Sequence, residues 1–172
     1  MVHLYQSLIK TLRYGYKPKL IEDSLGNSAS NIGLIYKSIL LGNIILKLIK
    51  GNKKIPLALM LPNTVPTAIV FFAIQYLNKV CAILNFTSGS KNIISCVKKS
   101  NIEYVITSKK FIEQSNMDNL VNTMEEKGCK FIYLENIKEL ITIKEKILAL
   151  KDLFFKILIS KNKSFKNLAV IL

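Results

Sequence analysis

The segment Ile55–Ser88 constrains the fold of this chain more than any other part of the sequence. It opens with an apolar run of seven residues, Ile55–Leu61, which ends at a Pro-Asn pair. An apolar segment with helical spacing follows over Val65–Leu77, and a second short apolar run covers Cys81–Leu84. This order predicts a strand, a tight turn, a helix and a second strand. That arrangement is the repeating unit of a parallel α/β sheet.

The remaining sequence continues the alternation of helices and strands, with no internal repeat and no low-complexity linker. We therefore predict one α/β domain over residues 1–172, in which helices flank a mostly parallel sheet. Ser90 and Ser108 are the predicted N-caps of the helices that they precede, and Gly51-Asn52 is a predicted C-cap. Further helices are predicted over Leu4–Leu12, Asn31–Lys50, Ser90–Lys99, Ser108–Lys127 with a break near Ser115, and Ile137–Ile159, and further strands over Leu20–Asp23, Glu103–Thr107, Phe131–Leu134 and Leu168–Leu172.

The positive charge of the chain does not indicate nucleic-acid binding. The formal net charge is +14, but among the 25 basic residues Arg13 is the single arginine. Proteins that read bases or clamp phosphates favour arginine, because its planar guanidinium forms two parallel hydrogen bonds. The lysines are also scattered along the chain in pairs. We therefore interpret them as solvated surface, and we interpret the lysine-rich segment Lys144–Lys166 as a solvated helix face.

Cysteine and histidine usage limits the chemistry that this chain can perform. Cys81, Cys96 and Cys129 are far apart and form no C-x-x-C pair, so we predict buried free thiols in a reducing cytoplasm. His3 is the single histidine, so we expect neither a Ser-His-Asp triad nor a histidine-based metal centre within this chain. The N-terminus lacks the basic start and continuous apolar run of a signal peptide.

A membrane span is an alternative interpretation of Ile55–Leu77, which carries no charged residue over 23 positions. Pro62 and Pro66 argue against it, because they lie four residues apart with Asn63 and Thr64 between them. Such a cluster ends one element and starts another, and lipid offers no partners for the backbone groups that it frees. A soluble α/β fold is the favoured prediction.

The tetrad Thr87-Ser88-Gly89-Ser90 has the appearance of a phosphate-binding loop. The residues that follow are Lys91-Asn92-Ile93, with no second glycine and no Lys-Gly pair. Without further glycines the backbone cannot wrap around an anion. We therefore predict a plain strand-to-helix turn here, and a turning role for Leu61-Pro62-Asn63.

Several segments together resemble the N-terminal subdomain of a known enzyme family. They are Ile21–Asn27, Leu61–Asn63, Phe71–Thr87, Tyr104–Gln114 and Phe131–Glu135. In order and spacing they are similar to AMP-forming acyl-activating enzymes, the AMP-binding superfamily. Within it they most resemble the synthetase part of the acyl-acyl carrier protein synthetase/2-acylglycerophosphoethanolamine acyltransferases.

The resemblance implies a fatty acid-activating ligase that uses ATP and magnesium and acts in phospholipid reacylation. It implies fatty acid and acyl carrier protein as partners, and a cytoplasmic location with peripheral contact at the inner membrane face. The strand at Asn167–Leu172 resembles the one that leads into the family's phosphate loop, so we expect a subdomain truncated before that loop, with ATP binding lost. No catalytic, cofactor-binding or metal-binding residue of the family can be carried over to a position in this chain. We therefore expect no bound cofactor and no activity from this chain alone, and a separately encoded C-terminal part as a partner.

Two other functions remain open from the sequence. The first is a non-catalytic α/β domain that binds an acyl chain or a lipid surface through its lysines. The second is a small membrane protein built on Ile55–Leu77. We interpret the aromatic pair Phe71-Phe72 as part of the hydrophobic core and not as part of a ligand pocket.

Overall fold

The computed structural model describes residues 4–50, 55–159 and 170–171 of this α/β protein. The predicted C-cap at Gly51-Asn52 and most of the last predicted strand lie outside these ranges. The helices are α1 (Leu4–Lys10), α2 (Asn31–Leu48), α3 (Val65–Tyr76), α4 (Ser90–Lys99), α5 (Lys109–Gln114), α6 (Asp118–Glu126), α7 (Leu134–Glu139) and α8 (Ile143–Ile159). The strands are β1 (Ile21–Glu22), β2 (Ser28–Ala29), β3 (Leu57–Leu59), β4 (Cys81–Ile83), β5 (Tyr104–Thr107), β6 (Lys130–Tyr133) and β7 (Val170–Ile171).

A parallel sheet of five strands forms the centre of the fold, in the order β6-β5-β3-β4-β7. Helices cover both faces, as parallel strands require. Side chains alternate along β3, so Leu57 and Leu59 join the core beneath α1, α2 and α3. Ala58 and Met60 join a second core that includes residues of α4, α5 and α6. The predicted fold class is confirmed.

Two short strands form a separate hairpin ahead of the main sheet. β1 and β2 pair antiparallel, with Ile21 opposite Ala29 and Glu22 opposite Ser28. The turn between them contains Gly26 with a φ of 80°, a left-handed conformation that glycine adopts without strain. The sequence prediction of a strand and turn here is confirmed, and the hairpin turns out to contribute to the site described below.

The helix caps show one correct prediction and one wrong one. The Ser108 hydroxyl accepts a hydrogen bond from the Phe111 N–H, so Ser108 caps α5 as predicted. Ser90 is not an N-cap, because it is already the first residue of α4 and Gly89 occupies the cap position. Gly89 has a φ of 84°, a left-handed conformation in which a serine would be strained, so the cap position favours glycine.

Helix α2 is the one element of the described chain that is long and apolar enough to cross a membrane, judged by length and composition. Within the fold, 56% of that helix is buried, as expected of a core helix. The alternative of a span over Ile55–Leu77 is wrong, because that segment divides into β3, a turn and α3.

Candidate functional site

A cleft of about 530 Å³ opens between the β1-β2 hairpin, the first turns of α3 and the ends of β3 and β4. The carboxyl ends of parallel strands are the usual position of ligand sites in α/β folds. The apolar wall of the cleft consists of Ile21, Leu59, Leu61, Val65, Phe71 and Ile83. Ile83, the last residue of β4, is 40% exposed to solvent.

Asp23 joins the hairpin to the start of α3. One carboxylate oxygen, Oδ2, accepts a hydrogen bond from the Val65 N–H at 3.0 Å. The other, Oδ1, accepts from the backbone N–H groups of Leu25 and Asn27, at 3.0 and 2.9 Å. The Asn27 side-chain amide approaches both oxygens at 3.1 Å. The Val65 N–H first, and then the hydrogen bonds from Asn27 and Leu25, lower the pKa of Asp23 and keep it ionised.

Glu135 likewise accepts hydrogen bonds from the start of a helix, here α5, which follows β5. Its carboxylate accepts hydrogen bonds from the Ser108 hydroxyl at 2.7 Å and from the Lys109 N–H at 3.0 Å, both at the start of α5. Burial tends to raise the pKa of Glu135. The hydrogen bonds from Ser108 and Lys109 together outweigh that effect and lower it.

The carboxylates of Asp23 and Glu135 limit the binding of phosphate and metal ions at the carboxyl edge of the sheet. A helix N-terminus attracts phosphate because its N–H groups are unpaired and its dipole is positive there. At α3 and α5 a carboxylate of the chain already occupies that position. The oxygens of Asp23 are filled by N–H donors, which leaves them poorly placed to bind Mg²⁺. The cleft residues therefore do not fit the phosphates of ATP or its metal ion.

The tetrad that resembles a phosphate loop is a turn, as predicted. Residues Phe86–Ser88 form one turn of 3-10 helix, and the Asn85 side chain caps it by accepting from the Thr87 N–H at 3.0 Å. The Thr87 hydroxyl also donates to Asn85, and the Ser88 hydroxyl donates to the Asn85 carbonyl, both at 2.7 Å. Both hydroxyl protons are thus used within the turn.

The remaining candidate residues fall where the sequence indicated, with two adjustments. Cys81 and Cys129 are buried, but Cys96 is half-buried, because its position on α4 lies at the border of the apolar face. Phe71 and Phe72 pack against the core as predicted, with their rings edge to face at 5.3 Å. Phe71 also lines the cleft, so it belongs to both. Within the described ranges, no three His, Cys, Asp or Glu side chains come together as a metal site.

Three solved structures illustrate what this fold is similar to. A benzoate CoA ligase from Burkholderia xenovorans LB400 superposes with a TM-score of 0.60 at 18% identity, over 77% of this chain and 26% of that one. A fatty acyl CoA synthetase from Mycobacterium tuberculosis gives 0.61 at 14% identity, over 78% and 27%. VinN, in complex with 3-methylaspartate, gives 0.64 at 15% identity, over 96% and 42%. No model of a known protein family matches the sequence.

The described chain has the fold of the N-terminal domain of adenylate-forming ligases. At these identities the likeness establishes the fold and nothing finer. The chain spans 26–42% of the length of these three solved chains.

The sequence did not reveal that the carboxylate of Asp23 lies in the cleft at the start of α3, or that the carboxylate of Glu135 lies at the start of α5. The Asp-Ser-Leu-Gly-Asn sequence does indicate a turn in which the aspartate binds its own backbone. The contact with Val65, however, spans 42 positions, and a local pattern cannot contain it. The apolar run Cys81–Leu84 likewise predicts a strand but not the exposure of Ile83, which follows from its position at the end of β4.

Proposed function

We propose that this chain contributes the first subdomain of an AMP-forming ligase that activates fatty acids. In the complete enzyme the acyl group would pass from an acyl-adenylate to acyl carrier protein, for phospholipid reacylation. ATP and magnesium would be held by a separately encoded C-terminal part, at the cytoplasmic side with peripheral contact at the inner membrane face. The fold supports the ligase assignment, and the chemistry of the cleft supports an acyl group as the ligand.

The apolar wall of the cleft is the observation that carries the proposal. Apolar residues from the hairpin, α3 and two strands line it, and the polar members of the lining are uncharged or acidic. An apolar cleft of this kind suits a hydrocarbon chain, which gains by leaving water. The acidic side chains Glu22 and Asp23 would repel a fatty acid carboxylate at the hairpin end. The carboxylate would therefore lie at the opposite end, where the complementing part supplies the positive charge.

Reconstitution tests this function directly. The purified chain is incubated with ATP, Mg²⁺ and a long-chain fatty acid, alone and with the separately encoded C-terminal part, and acyl-adenylate is trapped with hydroxylamine. We expect acyl hydroxamate from the mixture and none from the chain alone. Hydroxamate from the chain alone would contradict the divided enzyme, and its absence from the mixture would contradict the ligase.

The alternative of a non-catalytic acyl-binding domain is favoured by the same cleft, and a binding measurement addresses it. Titration with a fluorescent fatty acid is compared for the wild type, Ile83→Glu in the cleft and Ile32→Glu outside it. Both isoleucines are exposed to a similar extent, at 40% and 43%. We expect a loss of about tenfold or more in affinity for the first variant and little change for the second. Binding without any activity in the mixture would favour the non-catalytic domain.

A further inference from the structure

Helix α8 (Ile143–Ile159) packs on the fold with its acidic side chains turned inward. Its sequence contains two acidic residues, Glu145 and Asp152. Glu145 Oε1 lies 2.8 Å from the Lys47 Nζ of α2, and Asp152 Oδ2 accepts from the Asn43 amide at 3.0 Å. The Tyr76 hydroxyl of α3 also donates to Asp152. These polar contacts, together with the buried Ala149 and Leu153, attach α8 to the fold.

The opposite side of α8 is apolar and faces solvent. Ile143, Ile147, Leu150 and Phe154 follow one another at helical spacing and form a single row, here called the outward stripe. Their exposed fractions are 76%, 62%, 59% and 67%. A groove of about 530 Å³ runs beside the last three of them. Scattered exposed apolar residues are ordinary, but a continuous row of them marks a surface that contacts something apolar.

Lysines border the outward stripe on both sides. At 3.6 residues per turn, Lys144 and Lys151 share one flank and Lys146 lies on the other. All three are exposed. Since both acidic residues of α8 face inward, the exposed described side of the helix combines apolar and positively charged groups, with no negative ones. An apolar row between lysines is the arrangement of helices that lie in the interface of an anionic membrane.

We propose that the outward stripe of α8 is a docking surface for a bilayer that contains anionic phospholipid. The apolar side chains would enter the level between headgroups and acyl chains, and the flanking lysines would pair with lipid phosphates. A second copy of the chain fits less well, because two stripes face to face would bring lysines of like charge together. The outward stripe and anionic phospholipid would thus form the membrane contact that is part of the proposed function. Membrane binding by α8 does not require ligase activity, so the docking surface and the ligase function can be disproved separately.

Vesicle flotation with the whole chain tests the proposal. Vesicles of phosphatidylcholine alone are compared with vesicles containing about a third phosphatidylglycerol, a typical anionic fraction for such measurements. We expect the wild type to bind the anionic vesicles and to leave the neutral ones unbound at physiological salt. The double variant Ile147→Gln/Phe154→Gln should lose about tenfold or more of the binding. The matched control Tyr14→Gln/Leu25→Gln changes two exposed apolar residues outside α8 and should bind like the wild type.

The lysines are tested in the same experiment. Lys144→Gln/Lys151→Gln should lose about tenfold of the binding to anionic vesicles, whereas Lys91→Gln/Lys110→Gln, on α4 and α5, should lose less than about twofold. Far-ultraviolet circular dichroism and the melting temperature should match the wild type for every variant, since the changed side chains are exposed. Undiminished vesicle binding by either α8 variant overturns the proposal. So does a wild-type dimer, in sedimentation, that Ile147→Gln/Phe154→Gln converts to a monomer.

Discussion

At the scale of single residues, Asp23 connects three parts of the fold through one carboxylate. It closes the hairpin turn, occupies the N-terminus of α3 and forms part of the cleft. A phosphate group would meet this carboxylate at the position where many α/β proteins hold their anionic ligands. Local patterns indicate the turn but not the helix that it reaches, because that information lies in the packing of the hairpin.

Replacing Asp23 with Asn should destabilise the protein in a pH-dependent manner. The pKa of Asp23 is lowered in the folded state, so its contribution is present above the unfolded value of about 3.9 and is lost as pH falls through the folded value. We expect the wild type to melt above the variant at pH 5–7, at a nearly constant difference, and the difference to close in acid. The neighbouring Glu22→Gln variant is the control, since its exposed pair with Lys19 contributes little. A difference that persists undiminished in strong acid would contradict this role.

At the scale of elements, most of the order of helices and strands is predictable, because the apolar period and the turn residues determine it. The exceptions are β2, which was not predicted, and the predicted helix Ile137–Ile159, which is divided into α7 and α8. The extent of strand pairing is not predictable. The run Ile55–Leu61 predicted seven strand residues, yet β3 has three, Leu57–Leu59. Pro56 has no N–H to donate, while Met60 and Leu61 are buried beyond the strand's end. An apolar run reports burial, and strand pairing needs partners as well.

The orientation of α8 is the clearest element-scale difference between expectation and structure. Apolar period in a helix usually marks the buried face. Here Lys144, Lys146 and Lys151 are exposed as predicted, but the outward stripe is exposed with them. The inward face consists of the buried Ala149 and Leu153 together with Glu145 and Asp152, whose partners lie on α2 and α3. The sequence of α8 alone does not contain those partners.

The start of α5 provides a test of capping at this scale. Ser108→Ala should lower the free energy of unfolding by about 0.5–2 kcal/mol, because the hydroxyl caps the helix and also donates to Glu135. Ser90→Ala is the matched control at α4, where the serine side chain caps nothing and little change is expected. Denaturant unfolding followed by circular dichroism measures both. Equal losses for the two variants would contradict the assignment of the caps.

The contact between α2 and α3 depends on a missing side chain. A Cβ at Gly42 would lie 2.6 Å from Cδ1 of Tyr76 and 3.2 Å from the Ala73 carbonyl oxygen. Gly42→Ala should therefore cost about 1–3 kcal/mol of stability from overpacking, against a gain of about 1 kcal/mol in helix propensity. In a Tyr76→Ala background the same change should cost less, since the ring is gone. Additive losses in this double-mutant cycle would show that the close approach has no effect.

At the scale of the whole molecule, the sheet joins two apolar cores that contain one deeply buried cysteine each. Cys81 lies in the core beneath α1, α2 and α3, and Cys129 lies in the core on the other face. A domain that folds as a unit should expose both cysteines together, in one cooperative transition. An incomplete fold would open one face before the other. Thiol labelling can therefore decide between a self-sufficient domain and a part that needs completion.

We expect the three cysteines to react in two classes with a thiol reagent at pH 8. Cys96 is half-buried and should react first. Burial raises the pKa of Cys81 to about 12, so only on the order of 1 in 10⁴ of its native molecules carry the thiolate at that pH. Single-cysteine variants that retain Cys81 or Cys129 should then label at one common slow rate, which small amounts of urea accelerate equally. A faster, urea-independent rate at Cys129 would mean that the helices α4 to α6 open on their own. The cooperative unit would then be the face that carries the cleft and α8 alone, and the face formed by α4 to α6 would be the one whose packing is incomplete.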